Sequence, residues 1–323
     1  MSLLACFDAP NNLSTGTDIS SPPLLHTLPH SYLKPPKKMS NNRTLLLKLF
    51  LLSLSLFNGI LAATPGCGKT PTLKNGINTL TVNSKTRQWT LALPANYNNT
   101  NPYRLIFGVH WLGGSMNDVA VGNSIQPYYG LRSLANESTI FVAPDGLNKG
   151  WGNQGGEDIQ FIRQILEATN ADLCINEKLR FSVGFSYGAA MSHSIACTLS
   201  SDFRGVAAIS GGSLSGCVGG KEPVAYYGLH GLSDNVLPIA GGRALRDVFV
   251  RNNGCAASPA PAEVSSGSKS HSLSKFEGCK EGYPVWWSSF DSGHSPVPAD
   301  GGGDSRDRTW TPKAVWEFFS QFQ

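Results

Sequence analysis

Gly184-Phe185-Ser186-Tyr187-Gly188 spells Gly-x-Ser-x-Gly, the pattern of a serine carried on a tight turn between a strand and a helix. Side chains at the two outer positions would clash with such a turn, which is why glycine holds both. The flanks agree: 179–183 (Leu-Arg-Phe-Ser-Val) reads as a short buried strand, and 189–199 is a run of good helix formers. Strand, sharp turn and helix in that order predict a nucleophile elbow, with Ser186 presented at the carboxyl end of a sheet strand.

Outward from the elbow the same alternation repeats. Strands are predicted at 79–82, 87–93, 104–110, 139–142, 206–210, 224–229 and 285–290, and helices at 156–170, 240–252 and 313–322. In the first of these helices Ile159, Ile162, Ile165 and Leu166 form one apolar stripe, and Glu157 and Asp158 sit at its positive end. Short apolar strands alternating with helices predict a mostly parallel sheet covered on both faces. The order of elements is that of an α/β-hydrolase fold. With no internal repeat and no linker past residue 64, residues 64–323 read as a single catalytic domain. Residues 254–283, polar and rich in Ser, Pro and Gly, read as a loop ordered by a disulfide.

Residues 1–63 stand apart from that domain. The first 38 are rich in Pro and Ser without periodicity, and read as an unstructured leader. Met39 then opens the layout of a secretory signal: Arg43 and Lys48, a leucine-rich stretch from 49 to 61, and Ala62 and Ala63 as a cleavable end. A membrane anchor is the competing reading, but the apolar run is short for a span and is broken by Ser53, Ser55, Asn58 and Gly59. The expectation is therefore a secreted, extracellular protein whose signal opens at Met39, with the start of translation open between Met1 and Met39 and no membrane association after cleavage near Ala63.

Charge and cysteine usage support the same cut. The whole chain has 26 basic and 22 acidic residues; residues 1–63 hold five of the former and two of the latter, leaving 21 and 20. So even a balance gives no reason to expect nucleic acid as a partner. Cys6 lies in the leader, and the remaining six, Cys67, Cys174, Cys197, Cys217, Cys255 and Cys279, suit three disulfides in an exported chain. Among their possible pairings, Cys255 with Cys279 would close the Ser/Pro/Gly-rich segment. None has metal-ligand spacing. Asn98 and Asn136 begin glycosylation sequons.

A serine hydroxyl needs a histidine to take its proton, and that histidine needs a carboxylate to fix its tautomer. In this fold the order is Ser, acid, His, each after a strand. His294, in Phe290-Asp291-Ser292-Gly293-His294, follows the last predicted strand and is the expected base. His193 lies along the helix after the elbow and reads as a core histidine; His271, in Ser-Lys-Ser-His-Ser, reads as a solvated loop residue. Asp234, after the strand at 224–229, is the expected acid, with Asp291 its rival; Asp202 and Asp247 flank helices and read as surface charges. His230 is placed either to support the Asp234 loop or as a structural histidine. For the oxyanion hole, one donor is the N–H of Tyr187, and the second is the N–H of Leu112 or Trp111 in His110-Trp111-Leu112-Gly113-Gly114. Trp111, Trp151 and Tyr187 adjoin these motifs and are the candidate apolar walls of a substrate site.

Taken with Gly150-Trp151-Gly152-Asn153, Gly156-Glu157-Asp158, His230-Gly231 and Trp310-Thr311-Pro312, these motifs resemble the fungal secreted feruloyl esterases, in the carbohydrate esterase group with acetylxylan esterases and polyhydroxybutyrate depolymerase-like proteins. The resemblance spans 67–322. It implies Ser186 as nucleophile, Asp234 as acid and His294 as base, an acyl-enzyme intermediate, no metal or cofactor, and a feruloylated plant cell-wall arabinoxylan as substrate. An acetylxylan or polyester substrate is the alternative within this group, and a non-catalytic hydrolase-fold binding protein the alternative outside it.

Overall fold

Strand β5 (Ile175–Phe185) ends one residue before Ser186 and is the axis of the molecule. The computed structural model describes residues 63–256 and 262–323, so the leader expected over 1–38 and, but for Ala63, the signal segment expected over 39–63 lie outside the described residues. Beside β5 stand β1 (Gly76–Val82), β2 (Lys85–Ala92), β3 (Tyr103–Val109), β4 (Thr139–Pro144), β6 (Gly205–Ile209), β7 (Ala225–Gly231), β8 (Ser274–Lys275) and β9 (Val285–Phe290). They form one sheet in the order β1-β2-β4-β3-β5-β6-β7-β9-β8. The six strands from β4 to β9 are mutually parallel, while β1, β2 and β8 pair antiparallel at the two edges. This is the α/β architecture expected, and it brings the carboxyl ends of β3, β5, β6, β7 and β9 to one rim.

Burial on both faces explains the near-continuous apolar strands. In β3, Leu105, Phe107 and Val109 face a core containing the stripe of helix α2 (Glu157–Asp172), namely Ile159, Ile162, Ile165 and Leu166, with Met191 and Ile195 of α3 (Tyr187–Thr198). Ile106 points the other way, into a core with Leu131 of α1 (Leu131–Ala135) and Val315, Phe318 and Phe319 of α5 (Thr311–Ser320). Phe249 and Leu245 of α4 (Ile239–Asn252) cover Val206 and Tyr226 from a third cluster. Every strand and helix read from periodicity is present, with ends displaced by a few residues.

Two regions differ from the sequence reading. Residues 118–136 were without periodic signal, yet they fold into a π turn, a 3₁₀ turn and α1, with Tyr128 and Tyr129 buried at positive φ. Tertiary packing overrides the intrinsic cost of that backbone there. The described residues of 254–283 run mostly as loop, as expected, but add the short strand β8 to the sheet edge. The six cysteines pair as Cys67–Cys174, Cys197–Cys217 and Cys255–Cys279.

The antiparallel edge is locked to α2 by a buried ion pair. Arg87 Nη2 donates to Asp158 Oδ1 at 2.8 Å, with both side chains almost wholly buried, and the guanidinium lies 4.1 Å from the centre of the Phe161 ring. Asp158 Oδ2 in turn accepts the backbone N–H of Asn153 at 2.8 Å. Removing the carboxylate leaves a buried guanidinium uncompensated, so Asp158→Ala is expected to cost about 3–5 kcal/mol of stability. Replacing both partners by apolar residues of similar volume should recover most of that loss; equilibrium denaturation of the two variants measures both values.

Candidate active site

Ser186 sits at φ 56°, ψ −118°, a backbone region that a non-glycine residue occupies only when its surroundings hold it there. What holds it is close approach. A Cβ on Gly184 would collide with the backbone of Gly188, and one on Gly188 would collide with the carbonyl oxygen of Val109. Both elbow glycines are therefore required by space, so that α3 can start directly against the end of β3. Hydrogen bonds complete the clamp: Ser186 N–H donates to Ile209 O at 3.0 Å, and Tyr129 Oη accepts from Phe185 N–H at 3.1 Å while donating to Val109 O at 2.7 Å. Tyr129 thus ties β3, β5 and the elbow together. No local signal marked it, because its contacts are all with residues distant in sequence.

Asp234 and His294 come together from the loops after β7 and β9. Those loops are joined through their backbones, Leu232 N–H donating to Phe290 O at 2.9 Å and Ser233 N–H to Ser292 O at 3.1 Å. His294 Nδ1 donates to Asp234 Oδ2 at 2.7 Å. Asp234 Oδ1 accepts the N–H groups of Val236 and Leu237 at 2.9 Å and 2.8 Å, and its side chain is fully buried. This arrangement orients the carboxylate and leaves His294 Nε2 as the unprotonated nitrogen. The imidazole ring of His294 lies 4.6 Å, centroid to centroid, from Phe185, the residue before the serine. Asp291, the rival acid, is engaged elsewhere: its Oδ2 accepts the N–H of Lys269 at 2.7 Å.

His230 supports the acid loop. Its Nε2 donates to Leu237 O at 2.7 Å and lies 3.3 Å from Asp234 Oδ2, with its ring buried against Gly242 of α4. Burial lowers its pKa, so the neutral ring bridges the loop. His193 is a core residue as read, beside Cys197, Phe249 and Tyr226. It comes together with Cys197 and Cys217, but those sulfurs are bonded to each other, and neither is a thiolate available to a metal. His271 is less solvated than the sequence implied: it stacks 3.8 Å from the Trp310 ring and its Nδ1 lies 2.9 Å from Asp300 Oδ1.

The loop after β3 is set by a second buried histidine. His110 Nδ1 donates to Trp111 O at 2.7 Å, its Nε2 accepts the N–H of Gly146 at 2.9 Å, and its own carbonyl accepts the indole N–H of Trp151 at 2.8 Å. Trp111 O also accepts Gly114 N–H at 3.0 Å, and Gly113 N–H is taken by Lys149 O at 2.8 Å. Across a planar trans peptide the N–H opposes the carbonyl, so pinning Trp111 O turns the N–H of Leu112 away from the loop interior. The Leu112 side chain and the Tyr187 ring flank the same residue, Gly150, where an added Cβ would lie 3.3 Å from one and 3.1 Å from the other. Among the described residues no hydrogen bond occupies the N–H of Tyr187 or Leu112. Trp151 departs from the sequence reading: fully buried and bonded to His110, its ring lies behind the loop and forms no open wall. Trp111 and Tyr187 remain partly exposed.

Three buried histidines make the fold acid-sensitive. Burial lowers the pKa of His110 and His230, and brings that of His193 from 6.5 to about 4. The unfolded chain binds these protons first, so stability is full above pH 6.5 and is lost as pH falls from 6.5 towards 4. His193 alone accounts for ~3 kcal/mol of that loss. Urea midpoints measured across this range should fall steeply in the wild type and more gently in His193→Leu.

No family model matches the chain. Curated relatives do. Feruloyl esterase D of Neurospora crassa is 48% identical over 294 residues, covering 88% of this chain and all of that protein. Feruloyl esterase C of Emericella nidulans is 44% identical over 83% of this chain and 96% of its own. Among solved structures, an acetyl xylan esterase from Aspergillus awamori aligns with a TM-score of 0.55 at 16% identity, over 76% of this chain and 99% of that one. A ferulic acid esterase aligns with a TM-score of 0.53 at 14% identity, over 76% and 97%. At such identities the structural likeness speaks for the fold alone.

Proposed function

Because the chain belongs to the feruloyl esterase family, we propose that it is a secreted serine esterase that releases ferulate and related hydroxycinnamates from plant cell-wall arabinoxylan. The observation that carries the chemistry is the 2.7 Å bond between His294 Nδ1 and the buried Asp234 carboxylate, beside a serine on a strained elbow. Ser186 Oγ attacks the ester carbonyl carbon while His294 Nε2 takes its proton. The oxyanion so formed is held by the N–H groups of Tyr187 and Leu112. Collapse breaks the bond to the sugar oxygen, which receives the proton from His294, and the hydroxycinnamoyl group stays on Ser186. Water then repeats the sequence, with His294 as base, and frees the acid. Throughout, Asp234 keeps the Nδ1–H tautomer and stabilises the imidazolium.

Apolar side chains at the rim support an aromatic acyl group. Leu112, Leu214 and Val236 are exposed on the loops after β3, β6 and β7 and offer apolar surface at the carboxyl end of the sheet. Trp111 and Tyr187 offer aromatic surface beside the elbow. The exposed sequons Asn98 and Asn136 fit an exported glycoprotein.

Ser186→Ala should lower kcat by roughly 10⁶-fold if the three residues act as a unit. His110→Ala is expected to reduce kcat by about 10²-fold, with a smaller change in KM, by freeing the Leu112 peptide to rotate; a thermal melt alongside reports folding. Initial rates on methyl ferulate and on 4-nitrophenyl acetate separate the hydroxycinnamoyl reading from an acetyl esterase: preference for the acetyl ester, compared with the intrinsic reactivities of the two, would sink the former.

A further inference from the structure

Away from the catalytic rim, a cavity of about 870 Å³ opens at the amino ends of the parallel strands. Arg204, the residue before β6, stands in it between two rings, its guanidinium carbon 5.1 Å from the centre of Tyr283 and 4.6 Å from that of Phe322. Among the described residues that guanidinium has no hydrogen-bond acceptor and no carboxylate partner. The side chain is confined by the two rings and is one of the groups that line the cavity. Gly282 gives it room: a Cβ there would collide with Arg204 Nη2.

The surrounding wall is rigid. Buried Asn253 donates to Val224 O and Tyr283 O at 2.7 Å and 2.9 Å, and Lys280 N–H donates to Asn253 O at 2.7 Å. The disulfide Cys255–Cys279 closes the same loop. Charge favours an anion by a small margin. Lys178 and Lys280 line the cavity with Arg204; against them stand Glu281 and the terminal carboxylate of Gln323, while Glu177 is already paired with Arg180 at 3.1 Å. Phe276 and Tyr283 add partly exposed rings.

We propose that this cavity is a second ligand site, distinct from the catalytic centre, that binds a carboxylate carried on a ring: Arg204 takes the carboxylate in a two-bond fork, and Phe276 and Tyr283 pack against the ring. A planar guanidinium confined between two rings loses little freedom on forming such a fork, and the cavity has room for a monosaccharide or a small aromatic acid. Two sources share this chemistry, a uronate sugar of a polysaccharide and a free hydroxycinnamate.

The test is calorimetric titration of the full enzyme with Ser186 covalently blocked by a phosphonate, so that only the second site is read, using glucuronate, ferulate and uncharged methyl xyloside as separate probes. Saturable binding of either carboxylate, weakened about tenfold to a hundredfold in Arg204→Ala and absent for the xyloside, supports the site; which carboxylate binds identifies the source. Arg204→Lys keeps the charge between the rings but loses the fork, and should also bind more weakly. Both variants should retain unblocked activity on a small soluble ester, which reports folding and is independent of the catalytic reading. No saturable heat with either carboxylate, or affinities unchanged in both variants, overturns the proposal.

Discussion

The close approach of Gly188 to the carbonyl of Val109 governs the arrangement of this molecule. It lets α3 begin immediately after β5 and against the end of β3, and so forces Ser186 into a backbone conformation that costs on the order of 1–3 kcal/mol. The surrounding bonds to Ile209 and Tyr129 over-determine that conformation. Because β3 and β5 are parallel neighbours in the sheet, the loop after β3 is delivered to the side of the elbow, and the loops after β7 and β9 reach it from the other direction.

Buried polar groups then set the details. His110 and Asp234 each satisfy more than one partner, and His230 bonds Leu237 O beside the Asp234 carboxylate, on loops that have no regular structure of their own. A loop held in this way by side chain to backbone bonds keeps its peptide groups pointing in one direction, which an apolar contact could not enforce. The histidines serve as neutral bridges, donating with one nitrogen or accepting with the other, and burial keeps them so. At His110 the same device makes the loop vulnerable to acid, since a protonated ring can no longer accept the Gly146 N–H.

Much of this was legible in the chain. Period-two and period-3.6 patterns located the strands and helices because each element buries a face, and the elbow, Asp234 and His294 were legible because each follows a strand. The segment over 118–136 was not, since Tyr128 and Tyr129 hold their positive φ through contacts with β3 and β5 rather than through local sequence. Trp151 was misread for a related reason: adjacency to a motif in sequence does not say on which side of a loop a ring will lie, and its indole N–H found a buried carbonyl.

What the sequence by itself determined was the alternation of elements and the spacing of serine, acid and histidine, because burial and turn geometry act over a few residues. Only the tertiary structure decided which carboxylate meets His294, how the carbonyl of Trp111 is pinned in the His110 loop, and that Arg204 stands between two rings with no acceptor among the described residues. Each of those depends on groups tens to hundreds of residues apart, whose distances are set by strand order and loop packing, and no local pattern encodes them.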